Sequence, residues 1–439
     1  MKHLLIVIFI FNVFFTALHA QTNTLKRRAQ LDFGIRKLPD THGGTISRIS
    51  ETSSAYKAGL RKDDIVLSIN SRSISDGNEL FNITQSFRGG EPITLKIIRA
   101  GQKDPFDISF TPPSAPFESY ASLDLEAVAL TNSSGDALRA FITKPKKPKG
   151  KLPAILFVSW LSCSTVETPD RDDSWTKMLR EVAEKSGFLM MRVEKPGVGD
   201  SNGTACTECD LLTELDSYRA AWRHLKQRVD VDTTKIIVFG ASLGGTLASI
   251  VGKHEPVKAY VTAVSVYKTW LEHMIELERR RLLYSGKSQA EINQLMPGFI
   301  EFHTEYMIYK KTPRQIALEK PHLASLWYDD PEHQYGRPAQ FYMQIQDFNF
   351  MNTWSETKAP VLVVAGEYDW IMSLEDSHLL TDMINHQTPG RATLHVAKGM
   401  DHHWSVYASP QDAFDEANGE YAQNTVTEMI QWMKEVVSK

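Results

Sequence analysis

Residues 235–245 read KIIVFGASLGG, and this stretch decides the fold class. After its opening lysine the run is apolar, as expected of a strand buried on both faces of a parallel sheet. A Gly-x-Ser-x-Gly turn follows at once, and residues 245–250 continue as an apolar helical segment. Only small residues fit beside so sharp a strand-to-helix turn, which leaves the serine hydroxyl exposed at the sheet edge. The sequence therefore predicts Ser242 as a nucleophile.

Two residues later in the chain are predicted to activate Ser242. Asp369 follows the apolar run 360–365, and His402 lies in the segment GMDHHW, 399–404. A serine hydroxyl is a weak nucleophile until an imidazole takes its proton, and a carboxylate holds that imidazole in the required tautomer. We therefore expect Ser242, Asp369 and His402 to act together.

Each of these two partners has a neighbour of the same chemistry. Glu367 is an alternative acid, and His403 is an alternative base. Two adjacent histidines also raise the question of a metal ion, but no further ligand lies at a matching spacing. The sequence therefore predicts neither a metal nor a cofactor.

The surrounding sequence alternates apolar strands with amphipathic helices, which is the pattern of an α/β domain. Two runs indicate an opening hairpin, and five further runs are apolar enough for a parallel sheet that is covered on both faces. The hairpin runs are 123–130 and 137–143, and the five apolar runs are 154–158, 188–193, 235–239, 257–266 and 360–365.

Residues 118–439 resemble the α/β hydrolases, because Ser242, Asp369 and His402 follow one another in the chain order of that family. The segment looks most similar to secreted esterases and serine peptidases with a helical lid. The resemblance implies a mostly parallel sheet and a lid at about residues 267–357, a segment rich in aromatic residues and methionine. Such a lid favours a substrate with an apolar or aromatic part.

The resemblance also implies an oxyanion hole made of backbone N–H groups. By position these belong to Leu243, after the nucleophile, and to Leu161, after the third strand, with Trp160 as another candidate donor. The family commonly has His-Gly where this chain reads VSWL, residues 158–161. Since only the backbone has to donate, the side chains at these positions are free to differ.

Residues 30–112 have a different pattern, in which short runs typical of β-strands alternate with turns that contain Gly and Asp. The stretch SAYKAGLRKDDI, residues 54–65, resembles PDZ domains of the bacterial secreted type, which implies a small α+β domain. The proline-rich residues 113–117 are expected to be a linker. We therefore expect the segment 118–439 to turn over small esters without the PDZ-like domain.

The PDZ resemblance implies a peptide-binding loop at Phe33, Gly34 and Ile35. In that family a peptide adds a strand beside this loop, which holds its terminal carboxylate. Asp32 stands where the family usually has glycine, and its charge disfavours a carboxylate. A peptide or protein partner is one expectation, and a module that only docks onto the hydrolase is the other.

The first 20 residues have the three parts of a secretory signal peptide, namely a basic start, an apolar run at 4–15 and a small residue at Ala20. The apolar run is shorter than the roughly 20 residues that a membrane span needs. We therefore expect an exported protein, periplasmic or secreted, without a stable membrane span. An uncleaved anchor is the alternative.

Composition excludes other classes of protein. The chain has 439 residues, with 49 Lys and Arg against 53 Asp and Glu and a formal net charge of −4. A chain without an excess of basic residues is not expected to bind nucleic acid. Its three cysteines are too few for a disulfide scaffold.

The hydrolase resemblance implies that Cys163 and Cys206 form a disulfide. Cys163 follows the third strand and Cys206 follows the loop after the fourth, and in that fold the two loops emerge at the same sheet edge. Export would place them where a disulfide persists. A Cys206–Cys209 bridge and three free thiols are the alternatives.

Three functions remain open. One is a secreted serine hydrolase that cleaves carboxylic esters through an acyl-serine intermediate. Another is a non-catalytic scaffold in which the PDZ-like domain binds a partner. The remaining one is a serine peptidase on the same triad, whose action on free N-termini would need a carboxylate for the substrate ammonium. The candidates for that carboxylate are Glu167, Asp170, Asp172 and Asp173.

Overall fold

The computed structural model describes residues 25–38, 42–169 and 172–439. The predicted signal peptide, residues 1–20, lies outside this part of the chain. Among the described helices, none is both long enough and apolar enough to cross a bilayer.

In its described residues the N-terminal domain is a six-stranded antiparallel sheet with two helices, as predicted for a PDZ fold. The strand order is β1-β2-β3-β5-β6, with β4 paired to β3. The elements are β1 (Phe33–Lys37), β2 (Gly44–Ile49), α1 (Ser54–Lys57), β3 (Ile65–Ile69), β4 (Arg72–Ser73), α2 (Gly77–Gln85), β5 (Ile93–Ile98) and β6 (Phe106–Phe110).

The second domain carries twelve described strands. They are β7 (Leu123–Thr131), β8 (Ala137–Pro145), β9 (Leu152–Val158), β10 (Leu189–Val193), β11 (Val231–Ala241), β12 (Ala259–Ala263), β13 (His333–Gln334), β14 (Arg337–Pro338), β15 (Val361–Gly366), β16 (Ala392–Ala397), β17 (Ser405–Val406) and β18 (Glu420–Tyr421).

Eleven described α-helices accompany these strands. They are α3 (Ser174–Ser186), α4 (Leu211–Gln227), α5 (Leu243–Val251), α6 (Trp270–Tyr284), α7 (Gln289–Met307), α8 (Pro313–Glu319), α9 (Ala339–Gln346), α10 (Phe350–Ser355), α11 (Leu374–Gln387), α12 (Pro410–Phe414) and α13 (Gln423–Ser438). Two 3-10 helices, Cys206–Glu208 and Pro321–Leu326, complete the set.

Eight strands form the central sheet in the order β16-β15-β12-β11-β9-β10-β8-β7. Strand β8 is antiparallel to both of its neighbours, β7 and β10. The remaining pairings of the sheet are parallel, namely β10–β9, β9–β11, β11–β12, β12–β15 and β15–β16. This confirms the predicted α/β-hydrolase fold. In a parallel sheet of this kind the carboxyl ends of the strands meet at one edge, where sites are usually built.

Both faces of the central sheet are buried. Along β9, Leu156 and Val158 belong to a core shared with α4 and α5, whereas Ile155 and Phe157 belong to a core shared with α3 and α13. Successive residues of a strand point to opposite faces, so a strand covered on both sides has to be apolar throughout. This explains the continuous apolar runs in the sequence.

The lid lies between β12 and β15 and consists of α6 to α10 with the short hairpin β13–β14. Its helix α6 starts at a capping box in which Thr269 and Glu272 satisfy each other's backbone N–H groups. Trp270, Met274 and Leu277 of α6 are buried in the core that the lid shares with the sheet. The lid is therefore an integral layer of the domain.

The predicted linker is not a free connector. The backbone N–H of Gln30 donates to the carbonyl of Pro113 at 2.8 Å, and that of Ala115 donates to the carbonyl of Arg28 at 2.9 Å. The prolines exclude a regular strand, but their carbonyls still accept hydrogen bonds from the segment that precedes β1. Residues 113–117 thus join the two domains through an ordered pairing.

A buried charge cluster lies between the two domains. The Arg27 guanidinium contacts Glu167 at 2.7 Å and Asp200 at 3.0 Å, and the Arg28 guanidinium contacts Glu167 at 2.7 Å. The Glu167 and Asp200 side chains are almost completely buried, and both belong to the second domain. These contacts argue against the expectation that the segment 118–439 is independent of what precedes it.

We expect Arg27→Ala to lower the free energy of unfolding by at least about 2 kcal/mol, because it removes the cation that Glu167 and Asp200 share. Complete loss of a buried charge's partner costs ~3–5 kcal/mol, and the remaining contacts of Arg28 and Arg139 reduce the loss here. Urea and thermal unfolding of the full chain measure the effect.

Lys26→Ala is the matched control. Lys26 pairs with Glu91 at the surface, and exposed pairs of this kind contribute ~0–1 kcal/mol. If the Arg27 variant proved as stable as the Lys26 variant, the interdomain cluster would not hold the two domains together.

Candidate active site

Ser242 lies at the sharp turn between β11 and α5. Its backbone has φ 56° and ψ −131°, a conformation that non-glycine residues rarely adopt. Its N–H donates to the carbonyl of Ala263 at 2.9 Å, and its own carbonyl accepts from the hydroxyl of Ser265 at 2.8 Å. The neighbouring strand therefore holds the strained turn in place.

The two flanking glycines are required by close backbone approach. A Cβ at Gly240 would lie 2.1 Å from the carbonyl oxygen of Gly244, and a Cβ at Gly244 would lie 2.0 Å from the carbonyl oxygen of Val158. Neither position has room for a side chain. This is the physical basis of the pentapeptide pattern in the sequence.

The structure brings Ser242, His402 and Asp369 together in one hydrogen-bonded chain. His402 Nε2 lies 3.0 Å from Ser242 Oγ, and His402 Nδ1 lies 3.0 Å from Asp369 Oδ2. Since an ionised carboxylate only accepts, Nδ1 carries the proton and Nε2 accepts from the serine hydroxyl. All three residues are at most 9% exposed. The arrangement is suited to nucleophilic attack by the hydroxyl.

The alternative acid and base lie elsewhere. The Glu367 carboxylate accepts from the backbone N–H of Gly399 at 2.8 Å, whereas Asp369 Oδ1 accepts from the N–H groups of Ile371 and Met372. His403 is half exposed and contacts Asp401 at 3.4 Å. The structure therefore places the Asp369 carboxylate and the His402 imidazole beside the serine.

Of the two candidate oxyanion donors, Leu243 follows Ser242 directly and Leu161 lines the same cavity. Leu243 is the first residue of α5, where a helix leaves its N–H without an acceptor of its own. Leu161 and Trp160 line the same cavity as Ser242. The Trp160 ring packs against Trp175, with the ring centroids 5.1 Å apart.

A disulfide joins Cys163 to Cys206, whose Cα atoms are 5.8 Å apart. It ties the loop after β9 to the 3-10 helix Cys206–Glu208. Cys209 is free and buried, and burial raises the pKa of its thiol to about 12. The thiol of Cys209 is therefore unreactive at neutral pH.

A cavity of about 550 Å³ opens above Ser242 and His402. Aromatic side chains make up much of its wall. They are Trp160, Trp175, Trp270, Trp370, Tyr328 and Tyr335. Within the described ranges, no cluster of three or more His, Cys, Asp or Glu side chains could hold a metal ion.

Two of the charged groups around this cavity are already paired. The Glu167 carboxylate is bound by Arg27 and Arg28, and Arg281 pairs with Glu278 at 2.6 Å. Asp173 is exposed and caps α3, where its side chain accepts from the N–H of Thr176.

A buried histidine also lines the cavity. Burial lowers the pKa of His273 to about 3, so its imidazole is neutral at physiological pH. Its ring lies 4.9 Å from that of Trp270. His273 therefore adds no charge to the cavity.

Sequence reasoning missed the charged residues that surround the loop after β9. Lys195 follows β10 by two residues, and Glu214 pairs with both Lys195 and Arg337 in the interior. One signal was present, because Glu214 lies at helical spacing from Leu211 and Tyr218 on the buried stripe of α4. A carboxylate at a core position has to have a buried cation nearby.

Glu194 holds the same loop from another side. It is 1% exposed, and it accepts hydrogen bonds from the Thr165 hydroxyl and, at 3.2 Å, from the N–H of Val166. Burial raises the pKa of this carboxyl to about 7.

Phe33, Gly34 and Ile35 lie on β1, at one end of the strand order of the first sheet. The Phe33 ring packs against Phe110 in the core of that domain, with the ring centroids 5.6 Å apart. Helix α2 contacts the second domain, because Asn82 hydrogen-bonds to Thr207 at 2.6 Å. The proposed peptide-binding domain is thus docked onto the 3-10 helix that carries Cys206.

Comparison with protein families gives two matches. The model of the PDZ domain matches residues 45–99. The model of X-Pro dipeptidyl-peptidase (S15 family) matches residues 134–402, which is more than half of the chain and includes Ser242, Asp369 and His402.

Two curated proteins are similar over parts of the chain. The α/β hydrolase domain-containing protein WAV2 of Arabidopsis thaliana is 29% identical over 137 residues, which are 31% of this chain and 41% of that protein. A probable periplasmic serine endoprotease, DegP-like, of a Marinomonas species is 33% identical over 72 residues, 16% of this chain and 15% of that protein. The chain thus covers less than half the length of either relative.

Comparison with solved structures also gives matches to esterases. Est1E from Butyrivibrio proteoclasticus, with ferulic acid bound, has 16% sequence identity and a TM-score of 0.47 over 71% of this chain and 99% of its own. An esterase from Pyrobaculum calidifontis has 18% identity and a TM-score of 0.42 over 73% of this chain and 88% of its own.

We expect the Glu194 carboxyl to make the protein less stable as pH rises from about 4.5 to 7. Over this range the unfolded chain releases a proton that the folded chain still holds, because the folded pKa is about 7 and the ordinary value is 4.5. The loss reaches at most ~3 kcal/mol and is complete above pH 7.

Glu194→Gln mimics the protonated carboxyl, since its amide donates to Thr165 and accepts from Val166. In urea unfolding at a series of pH values, the variant is expected to lose less stability than the parent between pH 5 and 7.5. Parallel curves for the two proteins would show that Glu194 does not titrate in this range.

Proposed function

The chain belongs to the X-Pro dipeptidyl-peptidase (S15) family of serine hydrolases, and we propose that it is an exported enzyme that cleaves carboxylic esters through an acyl-serine intermediate. The single observation that carries the proposal is the hydrogen-bonded chain Ser242–His402–Asp369 at the floor of a largely aromatic cavity.

The first half of the reaction acylates the enzyme. His402 Nε2 takes the proton of Ser242 Oγ as that oxygen bonds to the ester carbonyl carbon. The carbonyl π electrons move to oxygen, and the backbone N–H groups of Leu243 and Leu161 stabilise the negative charge. When the tetrahedral intermediate collapses, the C–O bond to the alcohol breaks and His402 returns the proton to the leaving oxygen. Asp369 holds the imidazole and stabilises its charged form.

The second half releases the acid. A water molecule gives a proton to His402 Nε2 and attacks the acyl carbon, and the Ser242 oxygen leaves with that proton. The neutral His273 beside the cavity does not compete for the serine proton, because burial has lowered its pKa to about 3.

The charge distribution around the cavity supports an ester in preference to a peptide with a free N-terminus. A buried substrate ammonium needs an unpaired carboxylate. Of the predicted candidates, Glu167 is bound by two arginines and Asp172 pairs with Lys177 at 2.6 Å. Asp170 lies outside the described residues.

A serine peptidase is the second candidate, because the family is described by its X-Pro dipeptidyl-peptidase activity. Asp173 is the residue that favours it, since its exposed carboxylate lines the cavity. A substrate ammonium bound to the Asp173 carboxylate would either displace the N–H of Thr176, which now donates to that carboxylate, or bind beside it.

Export and partner binding complete the proposal. The basic start, apolar run and small residue at the N-terminus support export, and so does the similarity of 72 residues of the chain to a protein described as periplasmic. The place of β1 at one end of the described strand order supports docking of a peptide or protein by strand addition. The formal net charge of −4 argues against nucleic acid as a partner.

We expect Ser242→Ala and Asp369→Asn each to lower kcat on a p-nitrophenyl ester by about 10⁴-fold or more. The first substitution removes the nucleophile, and the second leaves His402 in the wrong tautomer. Steady-state kinetics at saturating ester measures the loss.

Glu367→Gln is the matched control, since it also neutralises one carboxylate after β15. The Glu367 carboxylate accepts a hydrogen bond from the N–H of Gly399 and not from His402. Its kcat is expected to stay within a few-fold of the parent. A severe loss in this variant, with Asp369→Asn active, would make Glu367 the acid of the triad.

A substrate panel separates the two candidate activities. We expect turnover of short-chain and aromatic p-nitrophenyl esters and little or none of dipeptidyl or aminoacyl p-nitroanilides, because the described part of the cavity wall offers a substrate ammonium no unpaired buried carboxylate. Asp173→Asn should leave ester turnover unchanged. Efficient anilide turnover that falls on Asp173→Asn would establish the peptidase instead.

A further inference from the structure

Lys195 binds three successive carbonyl groups of one loop. Its side chain is only 2% exposed, so the ammonium lies in the protein interior and not at the surface. It donates to the carbonyls of Trp160, of Leu161 at 3.1 Å and of Ser162 at 2.9 Å. We call residues 159–164 the oxyanion loop, because Leu161 is its proposed donor.

These contacts fix the direction of three peptide planes. In a trans peptide the C=O of one residue and the N–H of the next point in opposite directions, and the described chain contains no cis peptide. With the carbonyls of residues 160–162 turned toward Lys195, the N–H groups of Leu161, Ser162 and Cys163 face away from it. Leu161 and Ser162 line the cavity that contains Ser242.

The three N–H groups are unused in the described structure. None of them donates a hydrogen bond to any residue in the described ranges. Backbone N–H groups without a partner are rare away from water, so these are available to a ligand. The disulfide from Cys163 and the carbonyl contact of Leu161 with Arg337 at 3.4 Å restrain the same loop.

The ammonium of Lys195 lies closer to the loop carbonyls than to the carboxylate of Glu214. The ammonium lies 3.5 Å from Glu214, whose other oxygen is bound by Arg337 at 2.6 Å. Burial lowers the pKa of Lys195 to about 8, which still leaves the ammonium charged at neutral pH. A positive charge behind aligned peptide dipoles raises the potential in front of their N–H groups.

We propose that Lys195 is a positioning residue for the oxyanion hole, which turns the N–H of Leu161 toward the oxygen that becomes negative in the reaction and polarises it. The inference rests on the proposed acyl-serine chemistry at Ser242. Lys195 does not touch the substrate, and it acts through the peptide groups of the loop.

Lys195→Met removes the ammonium but keeps the length of the side chain. On a small p-nitrophenyl ester, kcat is expected to fall by ~10²–10³-fold, the effect of losing one oxyanion donor, while KM stays within about twofold. Affinity for an aryl trifluoromethyl ketone, which forms a charged tetrahedral adduct with the serine, should fall in parallel with kcat.

Lys268→Met is the matched control. Lys268 is a largely buried lysine held by Glu276 at 2.8 Å and Asp376 at 3.0 Å, with no contact to the oxyanion loop. Its kcat and ketone affinity should stay close to those of the parent. Equal losses in the two lysine variants, or a change in KM alone, would overturn the proposal.

A structure of the parent enzyme with the ketone bound tests the inference even if the variant fails to fold. The adduct oxygen should lie about 2.7–3.1 Å from the N–H nitrogens of Leu161 and Leu243. An adduct on Ser242 with its oxygen away from Leu161 would overturn the role of Lys195 alone. Failure of the ketone to react with Ser242 would overturn the proposed function as well.

Discussion

The backbone of Ser242, at φ 56°, is the constraint on which the arrangement of the site depends. The turn needs β9 close beneath it, because the carbonyl of Val158 occupies the space that a side chain at Gly244 would fill. It needs β12 beside it, since Ala263 and Ser265 hold its N–H and carbonyl. A parallel sheet in which β11 lies between β9 and β12 meets both needs, and it brings the loops after β15 and β16 to the same edge as the serine.

Buried charge then shapes the loop that faces the turn. Residues 159–168 contain few apolar side chains, yet they are held against the body of the protein by groups from three other segments. Lys195 and Glu194 lie in the loop after β10, Arg337 belongs to the lid, and Arg27 and Arg28 precede the first domain. Buried ion pairs add little net stability but they specify geometry, which is what an oxyanion-binding loop requires. The segment that precedes the PDZ domain therefore holds Glu167, a residue of the cavity wall.

The sequence predicted those parts of the site that depend on local chemistry. The turn at Ser242 has a steric cause that is visible in five residues, and Asp369 follows the continuous apolar run 360–365. His402 is predicted from the segment GMDHHW and from its place after Asp369 in the chain order. The contact of Lys195 with the loop spans 35 residues, and that of Arg27 with Glu167 spans 140. Such partners are chosen by the packing of whole elements, so no local pattern indicates them. The proline-rich segment 113–117 shows the same limit, because its composition predicts irregular backbone but not which groups its carbonyls bind.

The acyl-serine intermediate is the central claim, and intact-protein mass spectrometry after brief mixing with a p-nitrophenyl ester tests it most directly. The mass is expected to increase by one acyl group, which peptide mapping places on Ser242 and which is absent in Ser242→Ala. Rapid ester turnover without such an adduct, or an adduct on another residue, would contradict it.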